Sequence, residues 1–234
     1  MRLTILVPVY NEENTLATLL GKLKKILTDE YELIIVDDAS TDKSPGIIKD
    51  FVARNQQLHV KTIRHPKNRG KGAGIQSALN QASGRFFIIQ DADLEYDPKD
   101  IRALLEFAES NDARAVYGSR FKGEIQNMAK PNYYANKWYN FLLRRLYNTA
   151  ITDMHTCYKL INTALLQEIK IESEGFGYAP ELVSKLLRRK VNIHELPVTF
   201  YGRTRQEGKK ISFRDGISCM ADLLTYRFSD KAFK

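Results

Sequence analysis

The segment Asp91-Ala92-Asp93 places two carboxylates at alternate positions, one residue after a run of four apolar residues. In extended backbone, residues two apart point the same way, so both carboxylates face one side of the chain. Such hard oxygen ligands suit Mg²⁺ or Mn²⁺, and Mg²⁺ is usually held by one or two carboxylates together with substrate phosphates. Glu95, at the next alternate position, is a third candidate ligand, direct or through water. The pattern predicts a metal site, although the same acids would also suit the cap of a helix that begins near Pro98.

A second acidic cluster follows another apolar run, at Val36-Asp37-Asp38-Ala39-Ser40-Thr41-Asp42. An acid at a strand end can accept hydrogen bonds from a base N–H or a ribose hydroxyl, as in dinucleotide-binding folds. Asp42 with Thr41 can instead cap the next helix. We therefore take Asp38 as the residue that reads the base and Asp42 as structural.

The glycine-rich segments do not fit the common nucleotide-binding motifs. Gly70-x-Gly72-x-Gly74 departs from G-x-G-x-x-G and follows the third predicted strand, and the first turn, Pro8–Glu12, holds no glycine. These departures argue against NAD and FAD. The P-loop motif is absent, and no close Cys and His cluster indicates zinc.

The elements that must position these acids alternate between strand and helix patterns. Apolar, β-prone runs predict strands at Leu3–Val9, Leu33–Val36, Val60–Ile63, Phe86–Ile89 and Ala113–Tyr117. Apolar residues at helical spacing lie between them, which predicts an α/β fold with a mostly parallel sheet and helices on both faces. Because ligands bind beyond the carboxyl ends of parallel strands, three clusters should converge on one crevice: Pro8–Glu12, Asp37-Asp38 and Asp91–Glu95.

The second half of the chain is less regular and more basic. Residues 1–119 carry 16 basic and 17 acidic side chains, whereas residues 120–234 carry 20 and 11. Such an excess indicates either an anionic partner or a solvated basic face. We find no recognised nucleic-acid-binding module and expect no nucleic-acid partner.

Sequence patterns in this half predict an aromatic, basic helix over residues 131–149, then a helix over Pro180–Arg189 and a strand over Val191–Phe200. A charged loop, Arg203–Lys210, and an amphipathic segment follow. The aromatic stripe around Trp138 is either core or a surface at the lipid headgroup level, with Arg144 and Arg145 facing anionic lipid. Without a linker or repeat, we expect one domain, residues 1–210, with an amphipathic helical extension, residues 211–234.

Several segments, in this order, carry a family resemblance: Leu6–Glu12, Val36–Asp42, Asn68–Gly72, Asp91–Leu94 and Gly118–Arg120. Together they resemble a family 2 glycosyltransferase with the Rossmann-like GT-A fold. Later segments are similar to the dolichyl-phosphate mannose synthase and polyprenyl-phosphate glucosyltransferase branch: Asp153–Lys159, Gly175–Glu181 and Tyr201–Lys210. The resemblance implies an inverting hexosyltransferase, which moves a hexose from a nucleotide sugar of the GDP-mannose or UDP-glucose type to polyprenyl or dolichyl phosphate.

The resemblance also implies roles for individual residues. It assigns the nucleoside to Pro8, Tyr10, Glu12, Val36 and Asp38. It assigns the metal and diphosphate to Asp91, Ala92 and Asp93, and contacts to the phosphates to Arg120, Arg203 and Lys209, with Lys209 closing over them. Two positions depart from the branch: Gln usually stands where this chain has Glu95, and Arg205 competes with Arg203 for the phosphate contact.

A hydroxyl acceptor and a phosphate acceptor differ in whether the transfer needs a general base. A hydroxyl acceptor needs a general base, for which Asp153, Glu181 and His155 are the candidates, whereas a monoester phosphate is largely dianionic at pH 7 and needs none. The basic second half favours the phosphate. Two alternatives remain, a transferase to a soluble hydroxyl acceptor and a non-catalytic nucleotide-sugar-binding subunit; the intact pair Asp91 and Asp93 argues against the second.

The expected location follows from what the sequence lacks. Only two cysteines are present, no stretch of eighteen residues is free of charge, and the first apolar run is not followed by a cleavage-site pattern. These features predict a cytoplasmic protein without a membrane span. The basic half predicts peripheral binding to an anionic membrane surface, and a membrane-protein partner stays open.

Overall fold

The computed structural model describes residues 1–203 and 213–229. The strands are β1 Leu3–Val9, β2 Tyr31–Asp37, β3 His59–Arg64, β4 Phe86–Ile89, β5 Ala115–Ser119, β6 Ile125–Gln126, β7 Lys159–Asn162, β8 Ile193–Pro197 and β9 Phe200–Tyr201. The helices are α1 Leu16–Lys24, α2 Ser44–Arg54, α3 Lys71–Leu79, α4 Asp100–Ser110, α5 Lys130–Tyr147, α6 Thr163–Ile169, α7 Tyr178–Arg188 and α8 Phe213–Phe228.

Seven strands form one sheet in the order β3-β2-β1-β4-β7-β5-β8. Every neighbouring pair is parallel except those of β7, which runs antiparallel to β4 and β5. The short strands β6 and β9 pair separately. The predicted α/β class with a mostly parallel sheet is confirmed.

The centre of the sheet is apolar because helices cover it on both sides. Strand β2 is buried over its whole length, and β4 contributes four buried apolar residues. Helix α4 shows how the helices pack: its buried positions recur three and four residues apart, at Ile101, Leu104, Leu105 and Ala108. This spacing places them on the face of the helix that meets the sheet.

Two parts of the second half differ from the sequence prediction. Strand β7 and helix α6 were not predicted, because a four-residue strand between polar flanks has no distinctive period. The predicted strand over Val191–Phe200 is two strands, interrupted at Val198 and Thr199. Strand β8 joins the main sheet beside β5, whereas β9 pairs with β6. The interruption separates β8, which pairs at the edge of the sheet, from β9, which leads to Arg203.

Helix α5 resolves the open question about the aromatic stripe in favour of the surface. Tyr134, Trp138 and Phe141 are 67%, 54% and 45% exposed, whereas Leu143 on the opposite side is buried. The rings of Trp138 and Phe141 stack with their centroids 5.7 Å apart. The protein therefore presents an aromatic patch, Tyr134–Trp138–Phe141, to solvent.

Helix α8 packs on α5 and α7. Its Leu223 is buried, the Tyr147 hydroxyl donates to the Leu223 carbonyl, and the Arg188 guanidinium donates to the Tyr226 carbonyl. The expected boundary between domain and extension, at residues 210 and 211, lies outside the described residues. Within residues 1–203 and 213–229, no helix is both long and apolar enough to cross the bilayer.

Candidate active site

The segments that follow β1 and β4 both contact the guanidinium of Arg203. Arg203 follows β9, and its Nη1 donates to Glu12 Oε2 at 3.0 Å while its Nη2 donates to Asp93 Oδ2 at 3.1 Å. The three side chains are only 13–15% exposed. Burial alone would lower the pKa of Arg203, but the charges of Asp93 and Glu12 together raise it above its ordinary value. Two of the three predicted acidic clusters are thus brought together with the predicted arginine.

The backbone before Arg203 is fixed by Glu95 and β6. The Tyr201 N–H donates to the Glu95 carbonyl at 2.9 Å, and the Arg203 N–H donates to Glu95 Oε1 at 2.9 Å. The Gly202 N–H donates to the Gln126 carbonyl at 2.8 Å. The segment therefore lies across the crevice in a defined register, which sets where the Arg203 side chain begins.

The two aspartates of Asp91-Ala92-Asp93 have opposite electrostatic environments. Asp91 Oδ1 lies 2.5 Å from Lys71 Nζ at the start of α3. Burial disfavours the ionised Asp91, but the Lys71 charge outweighs it and lowers the pKa of Asp91. Burial, followed by the charges of Asp91 and Glu95, raises the pKa of Asp93 to about 7. Added positive charge near Asp93 would therefore favour its ionised form.

Asp38 has structural partners that the sequence did not indicate. Its carboxylate accepts the backbone N–H groups of Arg69 at 2.9 Å and Gly70 at 2.7 Å, and His65 Nδ1 donates to it at 2.7 Å. Asp38 is also buried. The carboxylate thus holds the loop that leads into α3, and its proposed contact with a base stays a prediction.

The glycines of this loop allow the close approach of a second segment, residues 173–175. Gly70 has a φ of +92°, a conformation that side chains disfavour. A Cβ on Gly72 would lie 1.9 Å from the Ser173 carbonyl oxygen. The Ala73 N–H donates to the Glu174 carbonyl at 3.0 Å. The loop that contains Lys71 is therefore held against residues 173–175, and this places the Lys71 ammonium next to Asp91.

The residues at this edge fit a divalent cation only in part. Among residues 1–203 and 213–229, no group of three or more His, Cys, Asp or Glu is arranged to hold a metal, so the expected set Asp91, Asp93 and Glu95 is not assembled there. The reason is that Asp91 faces Lys71 and Asp93 faces Arg203. The donor chemistry still fits, because one or two carboxylates and substrate phosphates suffice for Mg²⁺, and the pKa of Asp93 stays raised even with the charge of Arg203 beside it.

Arg120 has a buried carboxylate partner. Its Nε and Nη2 each donate to an Asp153 oxygen at 2.7 Å, and its guanidinium lies over the Phe200 ring. Asp153 itself is fully buried. The predicted contact of Arg120 with phosphates stays a prediction, since the described partners of the guanidinium are side chains of the protein.

The two other candidate bases are held in the protein interior. Glu181 forms a fully buried ion pair with Lys185 and accepts the N–H groups of Glu172 and Ser173. Burial, with the charge of Lys159, lowers the pKa of His155 to about 3. Neither side chain is suited to take a proton from a sugar hydroxyl near neutral pH.

The remaining predicted residues lie around the same edge. Pro8 pairs in register with Val36, Tyr10 is 39% exposed, and Ala92 is buried. Lys209 and Arg205 lie outside the described residues. Sequence reasoning gave no role to Lys71; a lone cation between glycines, near the acidic clusters, was the available signal.

Comparison with known proteins defines the class. Residues 4–170 match the family described as Glycosyl transferase family 2, and the chain belongs to that family. The fold is GT-A: the glucosyl-3-phosphoglycerate synthase of Mycobacterium tuberculosis, in complex with Mn²⁺, UDP-glucose and phosphoglyceric acid, superposes with a TM-score of 0.75. At 16% identity, that match covers 97% of this chain and 79% of the synthase chain.

Two curated relatives are more similar in sequence. The low-salt glycan biosynthesis hexosyltransferase Agl6 of Haloferax volcanii is 27% identical over 219 residues, covering 92% of this chain and 51% of Agl6. The undecaprenyl-phosphate 4-deoxy-4-formamido-L-arabinose transferase of Photorhabdus laumondii is 28% identical over 227 residues, covering 96% and 67%. The chain thus spans about half to two thirds of the length of these relatives.

Proposed function

We propose that this chain is an inverting glycosyltransferase, which moves a hexose from a nucleotide sugar to a polyprenyl phosphate in a reaction that requires Mg²⁺ or Mn²⁺. The donor is of the UDP-glucose or GDP-mannose type. The similarity to the undecaprenyl-phosphate transferase of Photorhabdus laumondii supports the acceptor class, and the similarity to the synthase bound to Mn²⁺ and UDP-glucose supports the donor class.

The observation that most favours a phosphate acceptor is the environment of the three candidate bases. Asp153 and Glu181 are fully buried in ion pairs, and the pKa of His155 is about 3. A hydroxyl acceptor needs a base to take its proton in the transition state, and none of these three candidates is suited to that role. A phosphate monoester has a second pKa of about 6 and attacks as an anion without a base.

The donor half of the reaction is assigned to the edge around Asp93. Asp93 and Glu95 would hold the metal, which when bound supplies Lewis-acid stabilisation of the leaving diphosphate. Arg203 would add charge-assisted hydrogen bonds to the same phosphates. The ion pair with Lys71 keeps Asp91 ionised and holds its side chain in place at the same edge of the sheet.

The acceptor half is assigned to the basic second half of the chain. A cavity of about 240 Å³ is lined by Phe121, Lys137, Asn140, Arg144 and Thr152. Lys137 and Arg144 supply two positive charges to this lining. A phosphate headgroup suits this lining, and the aromatic patch of α5 lies on the same helix.

The experiment is a donor and acceptor screen. Release of nucleoside diphosphate is measured with UDP-glucose and GDP-mannose, with Mn²⁺ or EDTA, and with short-chain polyprenyl phosphate, free sugars or no acceptor. We expect metal-dependent release that requires the polyprenyl phosphate and yields a glycosylated lipid by mass spectrometry. Product formed only on hydroxyl acceptors, or equal turnover in EDTA, would contradict the proposal.

We also propose peripheral binding to an anionic membrane, because Tyr134, Trp138 and Phe141 are exposed on α5 beside its basic side chains. Aromatic rings insert at the headgroup level, while lysine and arginine attract anionic lipid. Co-sedimentation with vesicles containing phosphatidylserine should fall with added salt and with Trp138→Ala. Phe176→Ala, an equally exposed ring elsewhere, is the matched control. Equal binding to neutral vesicles would refute the electrostatic part.

A further inference from the structure

Glu195, on the edge strand β8, holds the loop that contributes Thr152 to the cavity of about 240 Å³. Its side chain is only 3% exposed. The carboxylate accepts the Thr152 N–H at 2.9 Å, the Asp153 N–H at 3.0 Å and the Thr152 hydroxyl at 2.8 Å. Three donors from two consecutive residues thus converge on one buried carboxylate, and Lys122 Nζ lies 3.4 Å from it.

The hydroxyl of Thr152 has a fixed direction because of Glu195. A carboxylate accepts hydrogen bonds and does not donate them, so the Thr152 hydroxyl donates to it. Ser119 Oγ lies 2.7 Å from Thr152 Oγ1. Since the Thr152 hydrogen is already used, the Ser119 hydroxyl is the donor of that second bond. The result is a relay in which Ser119 donates to Thr152 and Thr152 donates to Glu195.

Asp153, the other residue that Glu195 holds, orients Arg120. Arg120 donates to the Asp153 carboxylate from its backbone N–H at 3.0 Å and from Nε and Nη2 at 2.7 Å each. Both side chains are buried, which makes this pair costly to break. A shift of the backbone at residues 152 and 153 would therefore move Thr152 and the guanidinium of Arg120, the predicted phosphate contact, together.

The same loop meets α5 through side chains that line the cavity. Arg144 Nη1 donates to the Ile151 carbonyl at 3.4 Å, and the Met154 N–H donates to Asn140 Oδ1 at 2.9 Å. Glu195 therefore ties to the sheet a segment that also contacts the cavity-lining helix.

We propose that Glu195 is a positioning residue for the acceptor: it fixes the cavity wall at Thr152 for an anionic headgroup, without contacting that headgroup itself. This inference rests on the acceptor site of the proposed function and deepens it. A loop that is already ordered need not be ordered when the acceptor binds, so its anchor lowers the cost of binding. By charge alone, loss of a carboxylate near an anion site would tighten the binding of the anion. Loss of an anchor weakens that binding, so the two roles differ in sign.

The test titrates farnesyl phosphate, with farnesol as the uncharged comparator, by isothermal titration calorimetry. We expect Glu195→Leu to bind farnesyl phosphate about tenfold more weakly than wild type, because the loop must then be ordered on binding, and to bind farnesol as wild type does. Glu106→Gln removes an exposed carboxylate that pairs with Arg102 on α4 and should change nothing. In transfer assays, Glu195→Leu should raise the KM for polyprenyl phosphate to the same extent, with kcat at saturation and the affinity for UDP or GDP unchanged.

Glu195→Gln should retain most of the affinity, because the relay can reverse. The glutamine oxygen can accept the two backbone N–H groups, and its amide can donate to Thr152 Oγ1 while the Thr152 hydroxyl turns to donate to Ser119. The reversed relay needs Ser119 as an acceptor, whereas the native relay uses it as a donor. Glu195→Gln and Ser119→Ala should therefore each cost about twofold, and the double variant about tenfold, more than the product of the single effects.

Binding of farnesyl phosphate by folded Glu195→Leu that equals or exceeds that of wild type overturns the inference, and so does an equal loss for farnesol. Additive effects in the double variant of Glu195→Gln and Ser119→Ala overturn it too, even if thermal melts show that Glu195→Leu does not fold. If wild type binds farnesyl phosphate but the variants give these results, this inference fails and the proposed function stands. If wild type does not bind farnesyl phosphate, the proposed acceptor is wrong, and the inference falls with it.

Discussion

Replacing Gly72 by alanine should displace Lys71 while its ammonium group stays chemically unchanged. The added Cβ would lie 1.9 Å from the Ser173 carbonyl oxygen and 2.9 Å from the Glu174 carbonyl carbon. Both neighbours are backbone atoms, and the segment is held by the buried Glu181 through the N–H groups of Glu172 and Ser173. Relief therefore requires a shift of more than about 1 Å in either segment, since backbone contacts that short do not occur.

The magnitude follows from that shift. Overpacking a tight contact costs about 1–3 kcal/mol, which lowers the melting temperature of a domain of this size by about 2–4 °C for each kcal/mol. Because Lys71 is the adjacent residue, the ammonium moves relative to Asp91. Misplacement of a site by about 1 Å can reduce the rate about a hundredfold. Turnover should thus fall much more than the modest loss of stability explains.

Gly74→Ala is the matched control, two residues further along α3. Its Cβ would meet Val36 and Pro8 side-chain atoms at 3.7 Å and 3.8 Å, which is ordinary contact. Alanine in a helix is favoured over glycine by about 1 kcal/mol, so this variant should melt at or above the wild-type temperature and keep its activity. If Gly72→Ala and Gly74→Ala behave alike in melting and in turnover, the clamped loop does not position Lys71.

Three further predictions concern single side chains. Asp93→Asn should abolish metal-dependent turnover while the fold survives; a variant with turnover near wild type in EDTA would exclude the metal role of Asp93. Lys71→Met should cost about 2 kcal/mol of stability, because it leaves Asp91 partly buried without its partner, whereas Lys71→Arg should keep most of it in the same thermal melts. His155 has a folded pKa of about 3 against 6.5 when unfolded, so the unfolded chain binds more protons between these values. Stability should therefore fall by up to about 1.4 kcal/mol per unit as the pH decreases from 6.5, and His155→Asn should flatten that slope in urea melts; an unchanged slope would contradict it.

The sequence predicted the central part of the fold well because that part is governed by local patterns. Strand β4 is a continuous apolar run, β1 and β2 are apolar over most of their length, and α4 has a clear helical period. Strand β7 was missed because its place depends on partners far away in sequence. Lys159 is buried next to Tyr117, and nothing in the local pattern indicates that a lysine lies inside a sheet.

The sequence identified the acidic residues of the site but not the basic residues with which they pair. Alternate acids after β4 led to Asp91 and Asp93, yet the sequence could not show that one would face Lys71 and the other Arg203. Lys71 is 20 residues and Arg203 110 residues distant from these acids in the chain. Asp38 is the clearest case, because an acid that caps a loop and an acid that reads a base look the same in sequence.

The antiparallel strand β7 has a consequence for how the protein is made. Strands β4 and β5 are not neighbours in the sheet, because β7, which lies later in the chain, pairs between them. While the ribosome has synthesised only the first 150 residues, each of these strands therefore has an unpaired edge. Such edges readily pair with other chains, so the nascent protein is most exposed to misassembly in this interval. Protection against protease should rise only once β7 has left the exit tunnel, and completion of the sheet waits for β8.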